Sequence, residues 1–212
     1  SSYLSEEELV DIAKTFRTSR LVRNFMNENT ELNSQLNTLA RNLTSDRELE
    51  EKIFSVFDDN LEIKHDATPE LKGLYASLRE TEKAVRGRVG ELLNSTDFVK
   101  HLQEAIYTTR DERIVFQVKA SDKSKVNGIV HDVSATNKTF YIEPESLVPL
   151  NNKLRETQSQ IHAECIRILT ELTQLVKFHF PSLKKSEQIL AEIDFHFAKA
   201  RYAVKIHSTE PE

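Results

Sequence analysis

His131, Asp132 and Ser134 stand close together in the chain, and they are the residue types of a hydrolytic triad. Adjacent residues on a strand point to opposite faces, so His131 and Asp132 cannot form an oriented pair there. No G-x-S-x-G elbow surrounds Ser134. The expectation is a strand end, with Asp132 accepting backbone N–H groups at the following turn. Glu143 could pair with a second acid for proton transfer. The structural reading is preferred: Pro144 ends a strand, and Glu143 ties that strand to the next helix. Seven histidines without ligand spacing and a single cysteine argue against a zinc site. Cys165 falls on an apolar stripe and is read as a small apolar residue. Gly73, Gly87, Gly90 and Gly128 form no G-x-x-x-x-G-K pattern, so this route to ATP is closed. Neither a catalytic residue nor a cofactor is expected in this chain.

The remaining chemistry is cationic. Arg110, Arg113, Lys119, Lys123, Lys125 and Lys138 form a candidate phosphate-contact set. Lys123 and Lys125 fall in one connection between apolar runs and Lys138 in the next, so adjacent turns would present them together. Phe116 and Phe140 are read as buried, leaving no aromatic platform for bases. Contact with a nucleic-acid backbone, without sequence readout, is the expectation. A merely solvated charged surface is the alternative.

These cations need a sheet. Ile114, Phe116 and Val118 alternate with Arg113, Gln117 and Lys119, the period-two pattern of a half-buried strand. Residues 126–133 and 139–142 give two more runs, joined by the polar turns SDKSK and SATNK. Three strands joined by two hairpins are too few to stand alone, so helices must carry them. Paired Asn151 and Asn152 would satisfy backbone groups where sheet meets helix.

Helical patterns flank this patch on both sides. Ser5 and Glu8 make a capping box before Leu9, Ile12, Ala13 and Phe16, then Val22, Phe25 and Met26. Leu32, Leu36, Leu39 and Leu43 mark a second helix, and Ser45 with Glu48 suggests a second capping box. Thr68 and Pro69 open a helix with Leu71, Leu74, Leu78, Val85 and Leu92 on one stripe. A short helix through Phe98, Leu102 and Ile106 is expected next. The returning stripe is Leu147, Leu150, Leu154, Ile161, Cys165, Ile168, Leu172 and Leu175, and Pro181 is read as a break. Two such stripes suggest an antiparallel coiled coil, with arms about 35–45 Å long at 1.5 Å per residue. The fold class expected is mainly α: a helical bundle with an inserted antiparallel coiled-coil arm carrying a small antiparallel β-sheet tip. The base would comprise 1–66 and 180–207. The inserted part would be 67–179, with arms 69–94 and 147–178 and tip 110–144.

Thirty per cent charged residues and only four glycines fit long helices better than a Rossmann fold or a barrel. Net charge is −5, which argues against a dedicated nucleic-acid binder. Its distribution is uneven: residues 1–68 hold 8 basic and 14 acidic residues, whereas 110–139 hold 6 basic and 4 acidic. Any phosphate affinity per copy should be weak and salt-sensitive. No apolar run approaches membrane length and no secretory signal opens the chain. With one cysteine, a reducing cytoplasm is expected, and without an initiating methionine a piece of a longer protein.

The ordered motifs RDERIVFQVKA, GIVHDVSA, FYIEP and LNNKLRE, covering residues 110–156, resemble the bacterial type-two MutS family. DATPEL and EIDFHFAKARYA extend the resemblance outward. The family usually carries Ser-Gly in the turn where this chain has Thr136-Asn137; asparagine is the next best residue for positive φ. The resemblance implies the lever and clamp region, set before an ATPase with its ATP and Mg²⁺ and an Smr-type nuclease domain. It implies a homodimer formed through the ATPase, which embraces branched DNA in recombination control or collided ribosomes in rescue. The competing reading is a coiled-coil adaptor that docks a protein partner through its tip.

Overall fold

The computed structural model describes residues 3–29, 31 and 34–206; Leu32 of the second helical stripe lies outside them. Two compact units result. One comprises Ser1–Ala67 with Cys165–Glu212, the other Thr68–Glu164.

The first unit opens with α1, Glu6–Glu28. Its capping box forms as expected: Ser5 Oγ accepts from Glu8 N at 3.2 Å, and Glu8 Oε2 accepts from Ser5 N at 2.8 Å. Leu9, Val10, Ala13, Phe16 and Met26 are buried, whereas Phe25, expected in the core, is exposed. Two helices follow, α2 (Ser34–Arg41) and α3 (Arg47–Val56). The cap of α3 is Asp46, not Ser45: Asp46 Oδ1 accepts from Leu49 N at 2.9 Å, while Ser45 Oγ accepts from Arg23 at 2.8 Å. Carboxylate and hydroxyl compete for the same cap, and Asp46 sits one residue closer to the first turn. Buried Glu50 receives two bonds from Arg20, at 3.0 and 2.8 Å, tying α3 to α1. The late residues of the chain's last helix complete this unit: Ile189 and Ile193 share a core with Met26, Ala40 and Leu43.

The second unit starts with α4, Pro69–Asn94, capped by Thr68, whose hydroxyl accepts from Leu71 N at 3.0 Å. The same hydroxyl donates to Glu164 Oε1 at 2.9 Å. At the other end of α4, Val85 and Val89 share a core with Leu147 and Leu150. The outgoing helix and the start of the returning one therefore run antiparallel. Their seam is not purely apolar. Thr81 and Thr157 are more buried than Leu74 or Leu154, and each hydroxyl bonds a carbonyl of its own helix at 2.9 Å.

Beyond the short α5 (Thr96–Val99) stand four strands, β1 (Leu102–Arg110), β2 (Arg113–Lys119), β3 (Gly128–Val133) and β4 (Thr139–Pro144). β1 replaces the expected helix through Leu102 and Ile106. The apparent helical spacing arises from a bulge: Leu102 pairs with Val118 and Tyr107 with Phe116, so three extra residues interrupt the alternation. Sheet order is β1-β2-β4-β3, all antiparallel. Thus β2 and β3 are not a hairpin. SDKSK lies in a 3-10 helix, Ala120–Lys125, that carries the chain past β4. The β1–β2 turn is a two-residue loop with Asp111 and Glu112 both left-handed (φ 48° and 63°), matching the twist of a tight hairpin. In the β3–β4 turn Asn137 takes φ 52°, the role expected of it. Phe116, Val118 and Ile142 pack on Val85, Val89 and Leu147; each such burial contributes about 1.5–3 kcal/mol. This is what lets so small a sheet persist.

The last helix, α6, spans Val148–Lys205 without interruption. Pro181 lies inside it, so the expected break is absent. The lost N–H weakens one rung, but Ser182 Oγ donates to the His179 carbonyl at 2.8 Å and Leu183, Ile189 and Ile193 hold the continuing helix in the core.

Candidate nucleic-acid interface

The six sequence-selected cations separate into two groups at opposite ends of β2. Six residue steps of strand, roughly 20 Å at 3.3 Å per residue, separate Arg113 from Lys119.

At the Arg113 end the side chains are engaged by protein partners, Arg113 largely buried and Arg110 partly exposed. Glu143 is fully buried, and its carboxylate is surrounded by donors from three elements. Arg113 NH1 reaches Oε1 at 2.9 Å and Oε2 at 3.1 Å. Asn151 Nδ2 donates to Oε1 at 2.9 Å, and His131 Nε2 lies 2.6 Å from Oε2. A carboxylate oxygen accepts, so this contact calls for the tautomer with the proton on His131 Nε2. Arg113 also donates to Asn152 Oδ1 at 2.6 Å. Asn151 does more. β2 pairs with β4 from Phe116 onward, and at Ile114 the Asn151 amide takes over the ladder, accepting from Ile114 N at 3.3 Å and donating to Ile114 O at 3.1 Å. The expected roles of Glu143 and Asn151 are found in this cluster, whereas Asn152 bonds the Arg113 side chain and not a backbone group. His131 faces Glu143 rather than Asp132 or Ser134. Asp132 Oδ1 accepts from Val133 N at 2.7 Å, and Ser134 Oγ accepts from Thr139 N at 3.1 Å. Arg110 lies 4.2 Å from the Tyr141 ring centroid, with its Nε 3.4 Å from Asp132 Oδ2.

At the other end the lysines converge. Lys119 N donates to the His101 carbonyl and its Nζ to the Lys100 carbonyl, both at 3.0 Å. Ala120 N bonds the Lys138 carbonyl at 3.0 Å, which sets the 3-10 helix beside the β3–β4 turn. Lys123 Nζ stands 4.6 Å from the Phe140 ring centroid, and Lys138 is exposed. Lys125 pairs with Asp122 at 2.9 Å, and His101 Nδ1 approaches the same carboxylate at 3.3 Å. Lys125, then His101, hold the Asp122 carboxyl below the usual range. Lys100, paired with Asp97, joins this end. It escaped selection because the short helix expected through Leu102 would have placed it outside the sheet.

Comparison with known proteins bears on what such a surface serves. The chain is 39% identical over 211 residues to the endonuclease MutS2 of Geobacillus sp. (strain WCH70), covering 98% of this chain. It is 37% identical to the endonuclease MutS2 of Pediococcus pentosaceus and 32% identical to that of Alkaliphilus metalliredigens, each over 99% of the chain. The chain belongs to the MutS2 family. It spans 27% of the length of each of these relatives. A scan against family models found no match. Among the described residues, no helix is long and apolar enough to cross a membrane.

Proposed function

We propose that this chain is the lever-and-clamp part of a MutS2 protein and that its sheet touches the phosphate backbone of a nucleic-acid target without reading sequence. The observation that carries the proposal is the gathering of Lys100, Lys119, Lys123, Lys125 and Lys138 at one end of the sheet, two of them beside acids and the others not. A surface of this modest charge binds weakly per copy. Two copies joined in a homodimer through an ATPase domain would raise the apparent affinity by avidity. The targets consistent with the family are branched DNA and ribosomes, with ATP and Mg²⁺ acting in the ATPase and cleavage in a nuclease domain. In this reading the chain supplies grip, not chemistry.

The test is binding of the purified chain to a four-way DNA junction and to ribosomes across a salt series. Affinity should fall steeply with salt. Reversing Lys123 and Lys138 to glutamate should weaken binding at unchanged melting temperature. Lys125 is the poorer probe, because a glutamate there would face Asp122. Unchanged affinity in the double variant rejects the lysine end as the contact. The adaptor reading has its own support in β3, an edge strand with exposed Ile129, Val130 and Val133. It predicts binding to a protein partner that salt does not disturb.

A further inference from the structure

The first unit carries an apolar groove of about 700 Å³ that no described residue fills. One wall is the end of α1, with Thr18, Leu21 and Phe25; the other is late α6, with Leu190, Phe197 and Arg201. Both sets recur at helical intervals, so each wall is one face of its helix. Met26 and Ile193, both buried, also line the groove and belong to the core of the unit. Leu21, Phe25 and Phe197 nevertheless stay 53%, 51% and 44% exposed. Thr18, Asp194 and Arg201 are the only polar side chains in the lining. Beyond the groove the end of α6 is apolar on two opposite faces. Exposed Val204 lies seven residues after Phe197, on the groove side. Phe195 and Tyr202, also exposed, fall on the far side at 3.6 residues per turn. A helix that is apolar on opposite faces belongs in an interior.

We propose that an amphipathic helix from elsewhere in the same polypeptide docks in this groove and completes the bundle, while further residues of that polypeptide close over Phe195 and Tyr202. This rests on the chain being part of a longer MutS2 protein, and not on the phosphate contact at the tip. The walls run from Thr18 to Phe25 and from Leu190 to Arg201, roughly 10–16 Å at 1.5 Å per residue. That length fits two to three turns of a helix with apolar residues at i, i+3 or i+4, and i+7. A small ligand in the groove would leave the far side of α6 bare, and so would a second copy seated on the one patch. The similarity to MutS2 proteins runs through 98–99% of the chain, these walls included, and most of each relative's length lies outside it. A segment tethered in the same molecule meets the groove at high effective concentration, so an apolar seam without strong polar contacts is enough to hold it.

Thiol reactivity tests this. With Cys165 and any other cysteine replaced by serine, Thr18→Cys puts a single thiol in the groove. Ser159→Cys, exposed on the α6 arm of the other unit, serves as the reference. The rate of reaction with DTNB is measured in the 212-residue chain and in the full-length MutS2 polypeptide that contains it. Thr18→Cys should react about 10-fold or more slowly in the full-length protein, since a covered thiol reacts only through local opening. Ser159→Cys should react at the same rate in both. Adding Phe25→Glu to the full-length Thr18→Cys protein should restore the fast rate, because a carboxylate in the seam has no partner there. In the 212-residue chain the same Phe25→Glu should leave the melting temperature unchanged. Arg201→Cys, on the opposite wall, replaces Thr18→Cys if that variant fails to fold. Equal groove rates in the two proteins overturn the docking and leave the tip contact untouched, because the tip lies in the other unit. Slow reaction that Phe25→Glu does not relieve also overturns it. Slow reaction already in the 212-residue chain, with a dimer in sedimentation velocity that Phe25→Glu abolishes, overturns it in favour of a second copy.

Discussion

Replacing Glu143 by glutamine removes one negative charge from a site with no solvent. The carboxylate now accepts from Arg113, Asn151 and His131. Glutamine keeps the shape but offers one acceptor oxygen, and its NH₂ would face at least one of those donors. His131 can adapt by moving its proton to Nδ1 and accepting; the Arg113 guanidinium cannot. Breaking a buried pair from one side typically costs about 3–5 kcal/mol. The Arg113 side chain retains 17% exposure, so partial hydration should bring the cost down to about 2–4 kcal/mol. Urea unfolding read by circular dichroism, with hydrogen exchange to locate the loss, measures this. Protection should fall at β2, β3, β4 and the first turns of α6 while α1–α3 keep theirs. The companion double variant, Arg113→Met with Glu143→Leu, should recover much of the loss, since removing both charges leaves nothing buried and unpaired. A cost below about 0.5 kcal/mol for Glu143→Gln, the level of an ordinary surface change, or a double variant no better than the singles, would refute the cluster as a coupled unit.

Two further outcomes follow from single contacts. At Gly128 an added Cβ would sit 2.1 Å from the Glu143 carbonyl oxygen, on backbone that is paired in the sheet; Gly128→Ala should destabilise the second unit by about 1–3 kcal/mol or more, read from the midpoint of a urea melt. Asp122 has its carboxyl lowered by Lys125 and then His101. Its contribution is present above about pH 4, the unfolded value, and is lost as pH falls through the lower folded value. Wild-type stability should therefore drop more steeply on acidification than that of Asp122→Asn, and parallel acid titrations of the two would contradict the tie.

What could be read from sequence was whatever repeats with a regular period. Thr68–Pro69 and Ser5–Glu8 announced helix starts because capping is local chemistry within four residues. The β2 alternation and the left-handed Asn137 were legible for the same reason. The failures were places where period breaks or tertiary contact overrides propensity. The bulge destroyed alternation in β1 and left Leu102 and Ile106 four apart, a helical interval, so the strand was missed together with exposed Tyr107. Pairing order was invisible because a polar SDKSK segment reads as a turn whether it closes a hairpin or crosses a neighbouring strand. Pro181 looked like a terminus, yet core contacts at Leu183 and Ile193 outweigh one lost hydrogen bond. The six cations could be selected by type, but nothing local distinguished Arg113 from Lys123.

That distinction comes from burial, and it decides which charges are free to meet a target. Arg113 satisfies a carboxylate that has no water around it, and redirecting the guanidinium to a phosphate would strand Glu143 at a cost of several kcal/mol. A single surface phosphate contact returns far less. Arg113 is thus better understood as the residue that keeps β2 in place at the edge of its β4 pairing, where Asn151 continues the ladder. Lys123 rests on the face of Phe140, an exposed contact worth about 0.5–1 kcal/mol, and Lys119 donates to one carbonyl. Either can turn to a ligand at small cost. One end of β2 is therefore built to hold, whereas the other leaves its cations free to reorient, which is why the proposed nucleic-acid contact is placed at the lysines.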